Sequence, residues 1–80
     1  MTLDEAIESM RAKISAASPG AQVKVVKMSD EEARLTVLAP ASDIQGIKEA
    51  TFLPAMDFLN HEGFDLQVQI YDQSAPPLTA

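Results

Sequence analysis

The side chains best placed to do chemistry are His61 and the two acids near it, Asp57 and Glu62. Residues four apart share a helix face, so Asp57 and His61 could form an acid–base pair or supply two ligands to a metal ion. A metal site needs three or four ligands, and no HxxxH or HExxH spacing provides the others. A histidine in the last turn of a helix is also stabilised by the helix dipole without any function. The sequence therefore offers these three residues as a polar site, with no catalytic residue or metal ligand assigned.

The sequence lacks the residues or motifs needed for cysteine chemistry, for a serine nucleophile and for a phosphate-binding loop. The chain has no cysteine, which excludes disulfides, thiolate zinc sites, iron–sulfur ligation and a cysteine nucleophile. No serine lies in a GxSxG context, and Gly20, Gly46 and Gly63 are too far apart for a phosphate-binding loop. Gly46 falls in the first turn of a predicted helix, where either a close backbone or ligand contact or simple tolerance would explain it. We expect a non-enzymatic protein without a cofactor, and the lack of cysteine favours the reducing cytoplasm.

The charge of the chain is distributed unevenly. Twelve acids stand against six bases, a net charge of −6, and Lys48 is the last basic residue. The acids that follow it are Glu49, Asp57, Glu62, Asp65 and Asp72. An anionic half repels phosphate backbones and anionic lipids, so the sequence disfavours nucleic acid and predicts no membrane association. It would suit a basic protein partner, although surface acidity also serves solubility alone.

The first predicted element is an amphipathic helix. Its apolar residues recur at steps of three and four, which places them on one helical face. They are Leu3, Ala6, Ile7, Met10, Ile14 and Ala17. Thr2 followed by Glu5 is a capping-box pattern, and Ser18-Pro19-Gly20 ends the helix because proline cannot continue it.

Residues 22–28 and 33–39 are short segments rich in β-branched residues and predict a hairpin. Their alternating apolar residues are Val23, Val25, Leu35 and Val37. These four share one face only if the loop has an odd number of residues, three or five, since an even number turns one strand over. Ser29 with Glu32 also matches a capping box, so a helix over 30–38 is the alternative.

A second helical segment is interrupted by Pro54. Proline inside a straight helix costs about 3 kcal/mol, so the sequence predicts two short helices, 43–52 and 54–62, with Ser42 or Asp43 capping the first. The apolar side of the pair is expected to hold Ile44, Ile47, Thr51, Phe52, Met56 and Leu59, with Phe58 beside them.

Gly63 is expected to end this helix, and residues 64–71 then alternate as a strand. Its predicted core residues are Phe64, Leu66, Val68 and Ile70. The fold class is α+β, an αββα(α)β two-layer sandwich with a three-stranded mixed sheet and both helices on one face. The third strand should run parallel to the second, beside either the second or the first. Residues 1–72 form the single domain, and the polar tail 73–80 is predicted to be disordered.

The element order resembles that of type II KH domains and BolA-like proteins, and is close to that of the C-terminal domain of NifU-type scaffolds. The functional motifs of these families are absent. The chain reads ATFLPAM where a KH domain has GxxG, PASDIQGI where a NifU-type domain has CxxC, and FDLQVQIY where a BolA-like protein has histidine. No site residue is carried over from this resemblance.

The strongest functional hypothesis is a protein-interaction domain, binding a protein partner or a second copy through the open sheet face or an edge strand. The residues expected on that face are Val26, Met28, Leu38, Gln67, Gln69 and Tyr71. Among them, Val26, Met28, Leu38 and Tyr71 are more apolar than a fully solvated face requires. The second hypothesis is a KH-like or BolA-like nucleic-acid-binding or regulatory domain without its motif, supported by Lys24, Lys27 and Arg34, with Arg11 as a further basic residue. The third is the metal or acid–base site at His61.

Overall fold

The computed structural model describes residues 1–74. Its elements follow one another as α1 (Leu3–Ala17), β1 (Gln22–Lys27), β2 (Glu32–Ala39), a 3₁₀ turn (Ala41–Asp43), α2 (Ile44–Glu62) and β3 (Asp65–Asp72). This confirms the predicted α+β class and element order. Of the predicted tail 73–80, Gln73 and Ser74 form a turn in which the Gln73 N–H donates to the Ala39 carbonyl at 2.9 Å. The rest of that tail lies outside the described residues.

The sheet has the order β1-β2-β3, antiparallel between the first two strands and parallel between the last two. The parallel pairing is as predicted, and the open question of position is answered: β3 lies beside β2. Val23 pairs with Val37 and Val25 with Leu35, so the four hairpin residues share a face. Residues 30–38 therefore do not form a helix.

The core lies between the helices and one face of the sheet. Every predicted core position of the strands faces α1 and α2, because the two-residue period of each strand keeps its phase across the sheet. In α1, Met10 and Ile14 are fully buried. The buried hydrophobic residues are Leu3, Ala6, Ile7, Met10, Ile14, Ala33, Leu35, Val37, Ala39, Ile47 and Leu66.

Local hydrogen bonds fix both ends of α1. The predicted capping box is present: the Thr2 N–H donates to Glu5 Oε1 at 2.8 Å, and the Glu5 N–H donates to Thr2 Oγ1 at 3.2 Å. At the other end, Ser18 is buried and its hydroxyl donates to Asp43 Oδ2 at 2.7 Å. Asp43 stands at the N-cap position of α2 but makes no side-chain capping bond, because its carboxylate holds the end of α1.

The prediction of two short helices around Pro54 is wrong. Residues Ile44–Glu62 form one helix with Pro54 inside it. Proline removes a single N–H donor, and the turns on both sides of it pack against the same core through Ile47 and Phe58. This shared burial keeps one helix axis despite the local cost.

Glycine ends α2 as predicted. Gly63 has a φ of 72° and donates to the Leu59 carbonyl at 3.2 Å, while Phe64 donates to the Phe58 carbonyl at 3.2 Å. This backbone conformation is costly for a residue with a Cβ. Gly46 is different: a Cβ there would meet nothing within 4 Å, so tolerance explains it, and no close contact does.

Candidate functional site

The second half of α2 presents large apolar side chains to solvent. Phe52 is 63% exposed, Leu59 51% and Met56 44%, and Leu53, on another side of the helix, is 66% exposed. The sequence predicts the first three on the apolar side of the helix, together with Ile47 and Thr51, but unlike those two they are not buried. α2 lies over the edge of a three-stranded sheet, so its inner side is covered and its outer flank, beyond β3, has no strand beneath it.

This flank and β3 together form a groove of about 350 Å³. Phe52, Ala55, Met56 and Leu59 lie at steps of three and four, so they share the wall that α2 contributes. The opposite wall and floor come from β3, through the helix-facing side chains of Leu66, Val68 and Ile70 and through Asp65 at the start of the strand. The full lining is Lys48, Thr51, Phe52, Ala55, Met56, Leu59, Asp65, Leu66, Val68 and Ile70.

The groove runs beside an open strand edge. β3 pairs with β2 on one side only, so within residues 1–74 its outward-facing N–H and C=O groups have no strand partner. Between Asp65 and Asp72 the strand carries no charge and no proline. An unpaired edge of this kind is a template for pairing with another polypeptide. The groove therefore combines backbone hydrogen-bonding groups with apolar contact area.

The two ends of the groove carry opposite charges. α2 is the crossover between parallel strands, so it runs antiparallel to β3. Lys48 lies eleven residues before Leu59, about 16 Å along the helix at 1.5 Å per residue. Asp65 begins β3, and Ile70 lies roughly 16 Å further along at about 3.3 Å per residue. Lys48 is thus level with Ile70 at one end, and Asp65 is at the other.

The predicted interaction residues on the open sheet face fall into two separate groups. Val26 and Met28 lie near the hairpin loop at the β1 edge and are 45% and 41% exposed. Leu38 and Tyr71 are paired neighbours at the opposite end of the sheet and are half-buried. The row Lys24, Thr36 and Gln69 crosses the sheet between these groups. The face is divided by polar side chains, in contrast to the continuous lining of the groove.

The two glutamines expected on that face make local hydrogen bonds. Gln67 Nε2 donates to Glu32 Oε2 at 3.2 Å, and the Tyr71 hydroxyl donates to Gln69 Oε1 at 3.3 Å. These contacts account for both side chains within the sheet itself.

The polar residues at the end of α2 are not brought together as one site. His61 Nδ1 lies 3.2 Å from the backbone carbonyl oxygen of Asp57, not from its carboxylate. Glu62 lies 3.8 Å from the N-terminal ammonium. Across the part of the chain that the structure describes, no three histidine or acidic side chains are arranged to hold a metal ion.

The shifted pKa values belong to surface contacts away from the groove. A hydrogen bond from the Thr2 backbone lowers the pKa of Glu5, and one from the Ser74 hydroxyl lowers the pKa of Asp72. A hydrogen bond to Asp4 at 2.9 Å raises the pKa of Lys27. Lys27, one of the basic residues of the nucleic-acid hypothesis, is therefore already paired.

Sequence reasoning missed the groove, although a signal for it exists. From residue 50 to 56 the chain reads ATFLPAM, with no charge on any side of the helix. A helix that is apolar all round is normally buried all round. A three-stranded sheet cannot cover it, and comparing the width of the apolar arc with the width of the sheet would have predicted exposed residues here.

No helix within residues 1–74 has the length and apolar character needed to cross a membrane. Comparisons with protein-family models, curated proteins and solved structures gave no match. The groove and the open β3 edge therefore have to be interpreted from their own geometry.

Proposed function

We propose that this chain is a non-enzymatic protein-interaction module that takes an additional strand along the outer edge of β3. The observation that carries the proposal is the coincidence of an unpaired strand edge with an exposed apolar flank, Phe52, Met56 and Leu59, directly above it. Strand addition uses the backbone for affinity and alternate side chains for specificity. The lack of cysteine favours the cytoplasm as its compartment.

The energy of such docking is moderate. Large apolar side chains carry about 150–250 Å² each, so three that are roughly half exposed contribute on the order of 300 Å². At about 25 cal/mol per Å² this gives roughly 7 kcal/mol. Association itself costs about 4–15 kcal/mol in lost freedom. The apolar contacts alone should therefore bind weakly, and the hydrogen bonds along the strand add the affinity that holds a partner.

The proposal can be tested with a designed strand-forming peptide, Glu-Val-Thr-Val-Thr-Val-Lys. Paired antiparallel to β3, its glutamate reaches the Lys48 end of the groove and its lysine the Asp65 end. Its matched control replaces the central valine with proline, which cannot serve as a mid-strand donor. We call the two peptides the valine peptide and the proline peptide. In an NMR titration of the ¹⁵N-labelled protein, we expect the valine peptide to shift the amide signals of β3 and of residues 52–59. The proline peptide should leave these signals unchanged.

Two variants of the protein test whether the peptide binds in the groove or on the open sheet face. Leu59→Glu places a charge on an exposed position of the flank and should abolish the shifts, whereas Val26→Glu, exposed on the open sheet face, should leave them intact. Shifts confined to β1 or to the open face, or equal shifts with both peptides, would show that strand addition at β3 is not what this chain does.

A further inference from the structure

We propose that the strand taken up by β3 is a segment of a partner protein that carries an acidic residue facing the groove at its Lys48 end. The next residues of that segment on the groove side are apolar, and a basic residue near the Asp65 end points to the opposite face. This inference rests on the proposed function, since it names the chemistry of the polypeptide that pairs with the β3 edge.

The two charged residues of the groove lie on different faces of the sheet. Asp65 is on the open face, where Gln67 Nε2 donates to its Oδ2 at 3.5 Å. Lys48 belongs to α2 and lies on the helix side, together with Val68 and Ile70 of the groove floor. A strand added to β3 alternates its own side chains between these two faces. It therefore meets Lys48 and Asp65 with residues that point in opposite directions.

Lys48 has no counter-charge within residues 1–74. It is exposed and joins no salt bridge there. The alternation of β3 places Asp72 on the helix side, paired in register with the buried Ala39. The Oδ1 atom of Asp72, however, accepts hydrogen bonds from the Ser74 N–H at 2.9 Å and the Ser74 hydroxyl at 2.7 Å. An ammonium group left unpaired beside an apolar lining selects for an anionic residue in the partner.

The register of the partner follows from the alternation of β3. Antiparallel pairing is slightly more stable per residue than parallel pairing, and its directly opposed side chains lie on the same face. The partner residue opposite Ile70 therefore faces the groove, level with Lys48, and we assign the acid to it. The residues opposite Val68 and Leu66 follow on that face and meet the exposed flank of α2. The residue opposite Asp65 points to the open face.

The start of β3 favours a basic residue at that last position. Asp65 pairs in register with Glu32, and the single amide group of Gln67 donates to both carboxylates, at 3.5 Å and 3.2 Å. Neither acid joins a salt bridge within the described residues. Like charges on directly opposed residues weaken strand pairing, and a lysine or arginine on the added strand offsets this repulsion.

Two peptides of identical composition test the assignment of the acid. Thr-Glu-Thr-Val-Thr-Val-Lys places its glutamate opposite Ile70. Glu-Thr-Thr-Val-Thr-Val-Lys moves the glutamate by one residue, opposite Tyr71 and onto the open face. NMR titration of the ¹⁵N-labelled protein gives both dissociation constants. We expect the first peptide to bind about three- to fivefold more tightly at low salt. The difference should disappear in about 1 M salt, where exposed charges are screened.

A charge reversal assigns the effect to Lys48. The Lys48→Glu variant should bind Thr-Lys-Thr-Val-Thr-Val-Lys more tightly than Thr-Glu-Thr-Val-Thr-Val-Lys, the reverse of the order in the original protein. Lys13→Glu makes the same charge change at an exposed position of α1 and should keep the original order. Circular dichroism checks that both variants are folded.

Equal affinities for the two isomeric glutamate peptides, or an unchanged order in Lys48→Glu, would overturn the inference. If these results accompany normal binding of the valine peptide, the charge assignment is wrong and the proposed function stands. If no peptide shifts the amide signals of β3, both fail.

Discussion

The two helices lie on the same sheet and use their apolar residues in opposite ways. In α1 every large apolar residue is at most 5% exposed, and the rest of the helix is polar. In α2 only Ile47 and Thr51 are buried, while Phe52, Leu53 and Leu59 are each more than half exposed. α1 therefore leaves no large apolar side chain for another molecule to cover. α2 carries more apolar surface than its own chain covers, and this excess separates a structural helix from a docking helix.

The two edges of the sheet repeat this contrast. β1 carries Lys24 and Lys27 along its exposed edge, and lysine on an edge strand discourages pairing with other chains. β3 carries no basic residue, and its charges are confined to Asp65 and Asp72 at its two ends. The structure therefore protects one edge and leaves the other suited to association.

The largest effect should come from truncating the buried helix. Ile14→Ala in α1 should lower the free energy of unfolding by about 2–5 kcal/mol, because it leaves a cavity in a close-packed site. Leu59→Ala in α2 removes an exposed side chain and should change that free energy by less than about 1 kcal/mol. Urea denaturation of both variants measures the difference. Similar losses for the two would mean that α2 is packed as completely as α1.

A smaller effect, with opposite signs at two positions, should appear within α2. Gly63→Ala forces a Cβ into the left-handed region and should destabilise the fold by about 1–2 kcal/mol. Gly46→Ala adds a Cβ to an open helical position and should stabilise it by about 0.5–1 kcal/mol. Thermal unfolding of the pair should therefore give melting temperatures on either side of the original. A destabilised Gly46→Ala variant would reveal a contact at that position that the structure does not show.

The smallest effect concerns the start of α1 and depends on pH. The hydrogen bonds of the capping box lower the pKa of Glu5 below its ordinary value. The stability it contributes is therefore fully present above the ordinary glutamate pKa and is lost as pH falls through the lower folded-state pKa. The difference in unfolding free energy between the original and Glu5→Gln should be largest near neutral pH and vanish in acid. Glu31→Gln, in the hairpin loop, gives the baseline for removing an exposed carboxylate.

Much of the fold could be read from local pattern. The phase of Val23, Val25, Leu35 and Val37 required an odd hairpin loop, and the pairing of Lys27 with Ala33 leaves five residues between them. These features depend on periods of two and 3.6 residues, which the sequence displays directly. The parallel direction of β3 followed from the crossover rule.

The site was harder to predict because it depends on which side chains of α2 are covered by the sheet, and the sequence does not show this directly. Pro54 appeared to break α2, since the cost of a lost hydrogen bond is local and the packing that offsets it is not. Phe52 and Met56 lie on the predicted apolar side of α2 but are exposed, because a helical face is buried only where another element lies beneath it. Which strand sits at the sheet edge could not be decided from pattern, and that choice places the groove.

The most direct test of the account is amide hydrogen exchange measured with and without the strand-forming peptide Glu-Val-Thr-Val-Thr-Val-Lys. It compares the two edge strands of the same molecule in one experiment. With this peptide at saturating concentration, the outward-facing amides of β3 between Asp65 and Asp72 should become strongly protected, while those of β1 should exchange at an unchanged rate. Protection that appears at β1, or exchange at β3 that the peptide leaves unchanged, would contradict the claim that β3 and the flank of α2 form the surface through which this chain binds an added strand.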